Sequence, residues 1–155
     1  MARRAGRGFT LIELLVVMVI MGVTLGLATL NALPSQQQAL QTEAERLALL
    51  LQLARDEAIV RNRQVAFEGE PDRYRFLVRN DKQWQAVTKD DLLREREWKN
   101  APLLLTVEPN TALPGASLRI VFGREPVDKP FVLTLSSADK HVAIRADGIG
   151  HFVVE

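Results

Sequence analysis

The first feature of the hydrophobic pattern is a long apolar run near the N-terminus. The segment 9–30 is almost wholly apolar, and Glu13 is the only charged residue between Arg7 and Glu43. As a helix, this segment would extend about 33 Å, enough to cross a hydrocarbon layer about 30 Å thick. The pattern therefore predicts a membrane-spanning helix over residues 9–30.

A second, amphipathic helix is predicted over residues 31–62. Pro34 ends the apolar run and should break the helix there, and Ser35-Gln36-Gln37-Gln38 follows as a possible capping box. Apolar residues then recur every three or four positions, which is the spacing of one helical face. They are Leu40, Ala44, Leu47, Leu51, Ala54 and Ala58. We expect this stripe to cover the domain's own sheet. The polar face is expected to carry Glu43, Glu45, Arg46, Arg55, Asp56 and Glu57.

From residue 63 to residue 155 the pattern changes to short β-rich runs separated by Gly, Pro, Asn and Asp. The predicted strands are 65–67, 74–79, 84–87, 103–107, 117–122, 131–136, 141–145 and 151–154. About eight short strands after one long helix, with no helix between them, indicate antiparallel pairing. The predicted fold is α+β, with the long N-terminal helix packed on an antiparallel sheet or sandwich.

One segment of this region, Thr88–Asn100, is dense in charge. We expect a solvated loop or a short exposed helix there. The alternative is a contact surface for a partner, because Leu92, Leu93 and Trp98 would be costly to leave exposed.

The charges are unevenly distributed along the chain. The net charge is +1, but Arg3, Arg4 and Arg7 lie in the first eight residues with no acid among them. The remainder holds 17 basic and 19 acidic side chains, a net charge of −2. A body of this kind has no basic stripe in its sequence, which argues against a nucleic-acid partner. Arginines precede the apolar run and none directly follows it. We therefore expect the N-terminus on the cytoplasmic side of the membrane and the chain after residue 30 on the other side.

Glu13 is costly in hydrocarbon and needs an explanation. One explanation is local, because Thr10-Leu11-Ile12-Glu13 forms a capping box with Thr10 as the N-cap. A cleavable secretory signal and a plain signal anchor are alternatives for the whole segment. The run is long for a cleaved signal, however, and Ala28-Thr29-Leu30 lacks the small residue that a cut requires.

The order of residues around Glu13 suggests a third explanation. Gly8-Phe9-Thr10-Leu11-Ile12-Glu13, after a basic leader and before an apolar run, resembles the type III signal of type IV pilins and pseudopilins. The resemblance implies that a prepilin peptidase removes residues 1–8 by cutting between Gly8 and Phe9, and that Phe9 is then N-methylated. It also implies that Glu13 pairs with the N-terminus of an adjacent subunit during assembly. Gly22 and Gly26 form a GxxxG pair that permits close helix packing.

Two further stretches narrow this resemblance. Residues 43–59, followed by Tyr74-Arg75-Phe76 and Trp84, resemble the H-type minor pseudopilins of type II secretion. Membership would imply a structural subunit near the tip of a pseudopilus that supports export of folded periplasmic proteins. Its partners would be the major pseudopilin, the I, J and K types, the prepilin peptidase and the inner-membrane assembly platform. The alternatives are a minor type IV pilus subunit and a membrane-anchored periplasmic binding module or enzyme.

The residues that could carry chemistry match no catalytic or metal-binding motif. His141 and His151, together with Asp139 or Asp147, could bind a metal. Ser136, His141 and Asp147 are the residue types of a catalytic triad. The histidine spacing fits no metal motif, the acidic ligands are too sparse for calcium, and no G-x-S-x-G elbow is present. With no cysteine, thiol chemistry is excluded. We expect no enzyme activity, cofactor or metal.

Overall fold

The computed structural model describes residues 10–30, 35–109 and 117–155, with side chains in the first range described as far as Thr24. The expected leader and processing positions therefore lie outside the described residues, as does Pro34 with its expected break. These positions are Arg3, Arg4, Arg7, Gly8 and Phe9. The chain divides into two compact units, Met1–Ser35 and Gln36–Glu155.

The described residues of the first unit form one helix, α1, over Leu11–Leu30. The backbone N–H of Glu13 donates to the carbonyl oxygen of Thr10 at 3.1 Å and to its hydroxyl at 3.4 Å. Thr10 is therefore the N-cap, as one half of the predicted capping box requires. Among the residues whose side chains are described, which in α1 end at Thr24, no helix is both long enough and apolar enough to cross a membrane.

The second unit begins with α2 over Gln36–Val60, which starts directly after Ser35. All six residues of the predicted apolar stripe are buried, so the expectation that α2 covers the domain's own sheets is confirmed. The helix ends at Val60, two residues before the predicted limit at residue 62. Asn62 adopts a left-handed φ of 50°, and the N–H of Arg63 donates to the carbonyl of Ala58 at 3.0 Å, which closes the last turn.

Glu43 does not belong to the polar face, and that prediction was wrong. Only 4% of Glu43 is exposed, and its carboxylate lies 3.9 Å from the Arg46 guanidinium. The reason is helical spacing, because position 43 lies one turn before Leu47 and two turns before Leu50, both buried. Its carboxylate is therefore carried into the same arc as the stripe.

The described residues form nine strands, one more than predicted. In chain order they are β1 Val65–Gly69, β2 Arg73–Asn80, β3 Gln83–Ala86, β4 Arg96–Glu97, β5 Leu104–Glu108, β6 Leu118–Phe122, β7 Phe131–Ser137, β8 Lys140–Ala146 and β9 Phe152–Val154. A five-stranded sheet has the order β3-β2-β1-β6, with β4 also pairing with β2, and a four-stranded sheet has the order β5-β7-β8-β9. All pairings are antiparallel, which confirms the predicted fold class.

α2 packs on both sheets through β1 and β6 of the larger one and β7, β8 and β9 of the smaller. On the five-stranded sheet, Phe67, Tyr74 and Phe76 form an aromatic cluster with ring centroids 5.6 to 6.2 Å apart. This geometry adds favourable ring contacts to the burial of apolar area. The inner faces of both sheets and the buried stripe of α2 therefore share one core.

The segment 88–98, here called the strap, departs most from prediction. Leu93 and Trp98 are only 2% and 4% exposed and belong to the core, whereas Leu92 is 53% exposed. The Trp98 ring lies 4.4 Å from that of Tyr74, and its Nε1 donates to the carbonyl of Glu70 at 2.8 Å. An exposed partner contact through Leu93 and Trp98 is therefore wrong, because the chain buries both itself. A contact through Leu92 stays a prediction.

Candidate functional site

The N-terminal end of α1 is the first candidate site. Glu13 is exposed in the single chain, at the third position of the helix. A carboxylate in the first turn is favoured there by the helix dipole. Within the described residues, no cation or hydrogen-bond donor reaches the Glu13 carboxylate, so its side chain is available to a group outside this range.

The described surface of α1, from Leu11 to Thr24, is apolar on all sides apart from Glu13. From Leu11 to Val23 every large apolar side chain is at least 40% exposed. The one described hydroxyl in this stretch of helix, that of Thr24, donates to the carbonyls of Ile20 and Met21 at 2.9 and 3.0 Å. A Cβ added at Gly22 would meet no atom within 4 Å. An apolar helix with this exposure requires a covering of lipid or of other helices.

The histidines and acids do not form a reaction centre in the described part of the chain. Ser136 and His141 are opposite each other on β7 and β8, but Asp147 lies six residues further along, about 20 Å in an extended strand. Asp139 and Asp147 are likewise separated by the whole of β8. These separations exclude a catalytic triad of Ser136, His141 and Asp147, and they exclude a calcium site formed jointly by Asp139 and Asp147. No group of three or more potential metal ligands occurs among the described residues.

Asp147 has a structural task instead. Its Oδ1 accepts hydrogen bonds from the N–H groups of Ile149, Gly150 and His151 at 2.8 to 3.0 Å, and its Oδ2 lies 2.6 Å from Nδ1 of His151. Desolvation opposes ionisation, but the hydrogen bonds from His151 and Ile149 hold the pKa of Asp147 well below its usual range. The carboxylate thus fixes the turn between β8 and β9.

The outer face of the five-stranded sheet, opposite the core, carries a cluster that the sequence analysis missed. Glu68 on β1 is directly opposite Arg75 on β2 and Arg119 on β6, and it is 2% exposed. Each arginine donates to a different oxygen of the carboxylate, through Nε at 2.8 Å for Arg75 and at 3.0 Å for Arg119, and also through Nη2. Burial alone would raise the pKa of Glu68, but the hydrogen bonds and charges of Arg119 and Arg75 lower it.

Trp84 on β3 continues this cluster across the same face. It lies opposite Arg79, and the guanidinium carbons of Arg79 and Arg119 lie 5.8 and 5.7 Å from its ring centroid. Both distances are within cation–π range. We call the set formed by Arg75, Arg79, Trp84 and Arg119 the arginine–tryptophan face.

A concavity of about 470 Å³ adjoins the arginine–tryptophan face and shares Arg79 with it. Four cations and one acid contribute to its lining, together with Asn62 and Gln64. The charged members are Arg63, Arg79, Lys82, Arg124 and Asp81. The basic character of the arginine–tryptophan face therefore extends beyond the sheet.

A signal for this face was present in the sequence but weak. Arg75, Leu77 and Arg79 alternate along β2 with Tyr74, Phe76 and Val78, as the period of two in a strand requires, and of the three only Leu77 is buried. The alternation places Arg75 and Arg79 on one face, but only the strand register brings Glu68, Trp84 and Arg119 to them. The register depends on non-local pairing, which no local pattern specifies.

Comparison with known proteins gives two matching sequence profiles. The family described as "Type II transport protein GspH" matches residues 43–150, and the family described as "Prokaryotic N-terminal methylation motif" matches residues 3–29. A "Type II secretion system protein H" from Pseudomonas aeruginosa is 38% identical, over 88% of this chain and 79% of the relative. A protein of the same description from Aeromonas hydrophila is 29% identical, over 97% and 93%.

Solved structures share the fold. The crystal structure of the minor pseudopilin EpsH from the type II secretion system of Vibrio cholerae has a TM-score of 0.60 at 18% identity, covering 78% of this chain and 98% of that one. The type IV minor pilin FimU from Pseudomonas aeruginosa has a TM-score of 0.51 at 16% identity, over 75% and 87%. At these identities, the likeness concerns the fold alone.

Proposed function

This chain belongs to the GspH family of type II transport proteins, and we propose that it acts as a minor pseudopilin. In this role it is a structural subunit of the pseudopilus of a type II secretion system. It supports export of folded periplasmic proteins across the outer membrane. One observation carries the proposal: a single chain joins an N-terminal methylation motif over residues 3–29 to a GspH body over residues 43–150.

The first part of the proposal concerns processing. The methylation motif includes Gly8 and Phe9, and α1 begins at Leu11, just beyond them. A prepilin peptidase would cut between Gly8 and Phe9 and remove Arg3, Arg4 and Arg7, and Phe9 would become the methylated N-terminus. The cut leaves α1 intact, so the mature chain keeps its apolar helix.

Glu13 has a role in assembly under this proposal. The new amine at Phe9 is a cation, and methylation to a secondary amine preserves that charge. Glu13 follows Phe9 by four residues, one helical turn, and its carboxylate is exposed in the single chain. When α1 helices pack side by side, the carboxylate can neutralise the amine of an adjacent subunit. Pairing in an apolar setting favours one register of the helices over others.

The proposed location follows from the same helix. α1 anchors the subunit in the inner membrane before assembly, with the leader on the cytoplasmic side and the body in the periplasm, as basic residues before an apolar segment favour. After assembly, neighbouring α1 helices cover its apolar surface, and Gly22 with Gly26 allows them to approach closely. The proposed partners are the major pseudopilin, the I, J and K type minor pseudopilins, and the inner-membrane assembly platform.

A genetic experiment tests the function. In a secreting strain with the gene deleted, exported enzyme should remain in the periplasm, and the wild-type chain should restore its release. Gly8→Leu should block processing, so that the chain keeps its leader by mass spectrometry and fails to restore secretion. Ala5→Leu, within the leader but away from the cut, serves as the matched control. Normal secretion without the gene would refute the proposal.

The second candidate is a minor subunit of a type IV pilus. The fold shared with FimU is compatible with it, but at 16% identity that likeness carries no functional weight. The 38% identical relative favours secretion. Loss of surface pili with intact secretion in the deletion strain would favour the second candidate.

A further inference from the structure

We propose that the arginine–tryptophan face docks an acidic segment of a neighbouring protein subunit. The inference rests on the proposed function, in which the chain is one subunit of an assembly. It adds a surface and the chemistry of its partner.

The arginines of this face are held in place before any partner arrives. Glu68 is buried and binds one guanidinium with each of its oxygens, whereas the side chains of Arg75 and Arg119 remain 38% and 40% exposed. One carboxylate therefore fixes two partly exposed cations side by side on neighbouring strands. Fixed cations lose little side-chain entropy on binding an anion, which favours association.

Trp84 supplies an apolar contact beside these cations. Its ring lies within cation–π range of Arg79 and Arg119, and it is half-buried rather than part of the core. Tryptophan and arginine are the residue types most enriched at the centres of protein interfaces, where they carry most of the binding energy. A face that combines them is suited to a protein surface.

The charge distribution indicates an acidic partner. The arginine–tryptophan face and the adjoining concavity hold six cations against Glu68, Asp81 and the neighbouring Glu70, a net charge of +3. The six cations are Arg63, Arg75, Arg79, Lys82, Arg119 and Arg124. Outside this region and the leader, 11 bases remain against 16 acids, a net charge of −5. A positive region on an otherwise negative body attracts and orients acidic partners.

The geometry favours carboxylates on a protein over a lipid surface. Guanidinium groups bind carboxylates through several N–H donors at once, as Arg75 and Arg119 each bind one oxygen of Glu68 through Nε and Nη2. Membrane-surface binding instead uses apolar side chains that insert beside flexible basic ones. Here the one large aromatic residue lies against two arginines.

Photo-cross-linking in secreting cells tests the inference on the full chain. Ala86 is exposed on the outward side of β3, two residues from Trp84, and can be replaced by p-benzoylphenylalanine. Val153, 54% exposed on the outer side of the four-stranded sheet, is the control position for the same probe. We expect a light-dependent protein adduct from position 86 and none from position 153. Mass spectrometry should locate the adduct in a peptide rich in Asp and Glu.

Charge reversal separates this contact from simple proximity. Arg79→Glu with Arg124→Glu removes two exposed cations without touching the Glu68 pairs, and it should lower the adduct yield at least about tenfold. Lys140→Glu with Arg145→Glu, the same charge change on β8, should leave the yield unchanged. Thermal unfolding of both variants checks that each is folded, and Arg79→Gln with Arg124→Gln replaces the reversal if it is not.

Four results would overturn the inference: no protein adduct from position 86, an adduct peptide without acidic residues, an adduct with lipid only, or an unchanged yield after charge reversal. The failure of the proposed function has a different signature. If deletion of the gene blocks secretion while position 86 gives no adduct, the docking surface is refuted and the minor pseudopilin role stands.

Discussion

Replacement of Trp98 tests the most informative difference between the predicted and observed structures. Trp98 is 4% exposed, its ring centroid lies 4.4 Å from that of Tyr74, and it donates a hydrogen bond to the Glu70 carbonyl. Trp98→Ala removes the burial, the ring contact and the hydrogen bond together. Truncation of a buried tryptophan in this way costs about 3–5 kcal/mol. Trp98→Phe keeps most of the ring but loses the hydrogen bond, at a cost of about 1 kcal/mol.

Urea unfolding of a fragment that begins at Ser35 measures these costs, since Gln36–Glu155 is a compact unit that contains the whole core. Domains of this size are stable by about 5–15 kcal/mol, so Trp98→Ala should remove a large part of the total. With a slope of about 1–3 kcal/mol per molar urea, a loss of about 3–5 kcal/mol should lower the midpoint by about 1–5 M. Leu92→Ala, at an exposed position of the same strap, should change stability by less than about 0.5 kcal/mol. Equal effects of Trp98→Ala and Leu92→Ala would refute the assignment of the strap to the core.

Three further predictions concern other parts of the chain. Glu68→Gln should lower the free energy of unfolding at pH 7 by about 1–3 kcal/mol, because a buried charged hydrogen-bond network is broken. Folding lowers the pKa of Glu68 from its ordinary value of 4.5. The stability that the ionised carboxylate contributes is therefore complete above pH 4.5 and is lost as the pH falls through the folded-state pKa. In urea titrations, the difference in stability between wild type and Glu68→Gln should shrink from about pH 7 towards about pH 3. Gly148→Ala should lower the free energy of unfolding by about 1–3 kcal/mol, because Gly148 has a φ of +81° and an added Cβ would lie 2.2 Å from the Asp128 carbonyl oxygen. Gly123→Ala is the control: an added Cβ there would meet no atom closer than 3.8 Å, so the substitution should be nearly neutral in the same titration. Glu13→Gln should leave membrane insertion and leader removal intact but reduce incorporation into isolated pseudopili, and unchanged incorporation would contradict its pairing with a neighbour's amine.

Local patterns predicted much of the fold. The six-residue stripe on α2 and eight of the nine strands could be located because helical and strand periodicities are properties of neighbouring residues. The ninth strand, β4, is two residues long and exists only through its pairing with Arg73 and Tyr74. So short a strand has no periodicity to detect.

The errors have two physical origins. The prediction for Leu93 and Trp98 follows their charged neighbours, yet both lie in the core, where Trp98 contacts Tyr74 and Glu70. The prediction for Glu43 follows its own charge, although its helical spacing places it in the arc of the buried stripe. The candidate site divides in the same way. The signal around Glu13 depends on order and spacing, so sequence alone could predict it, whereas the arginine–tryptophan face depends on the pairing of four strands.

The packing of α2 has a mechanical consequence. In the described part of the chain the two sheets share no strand pairing, and α2 touches both along its length. A load that enters at the N-terminal end of α2 is therefore divided between two sheets that resist in parallel. The buried stripe must slide along both at once before the body can be pulled from its helix. Under the proposed function, this shear arrangement would keep the body attached to its helix when the assembled subunit carries an axial load.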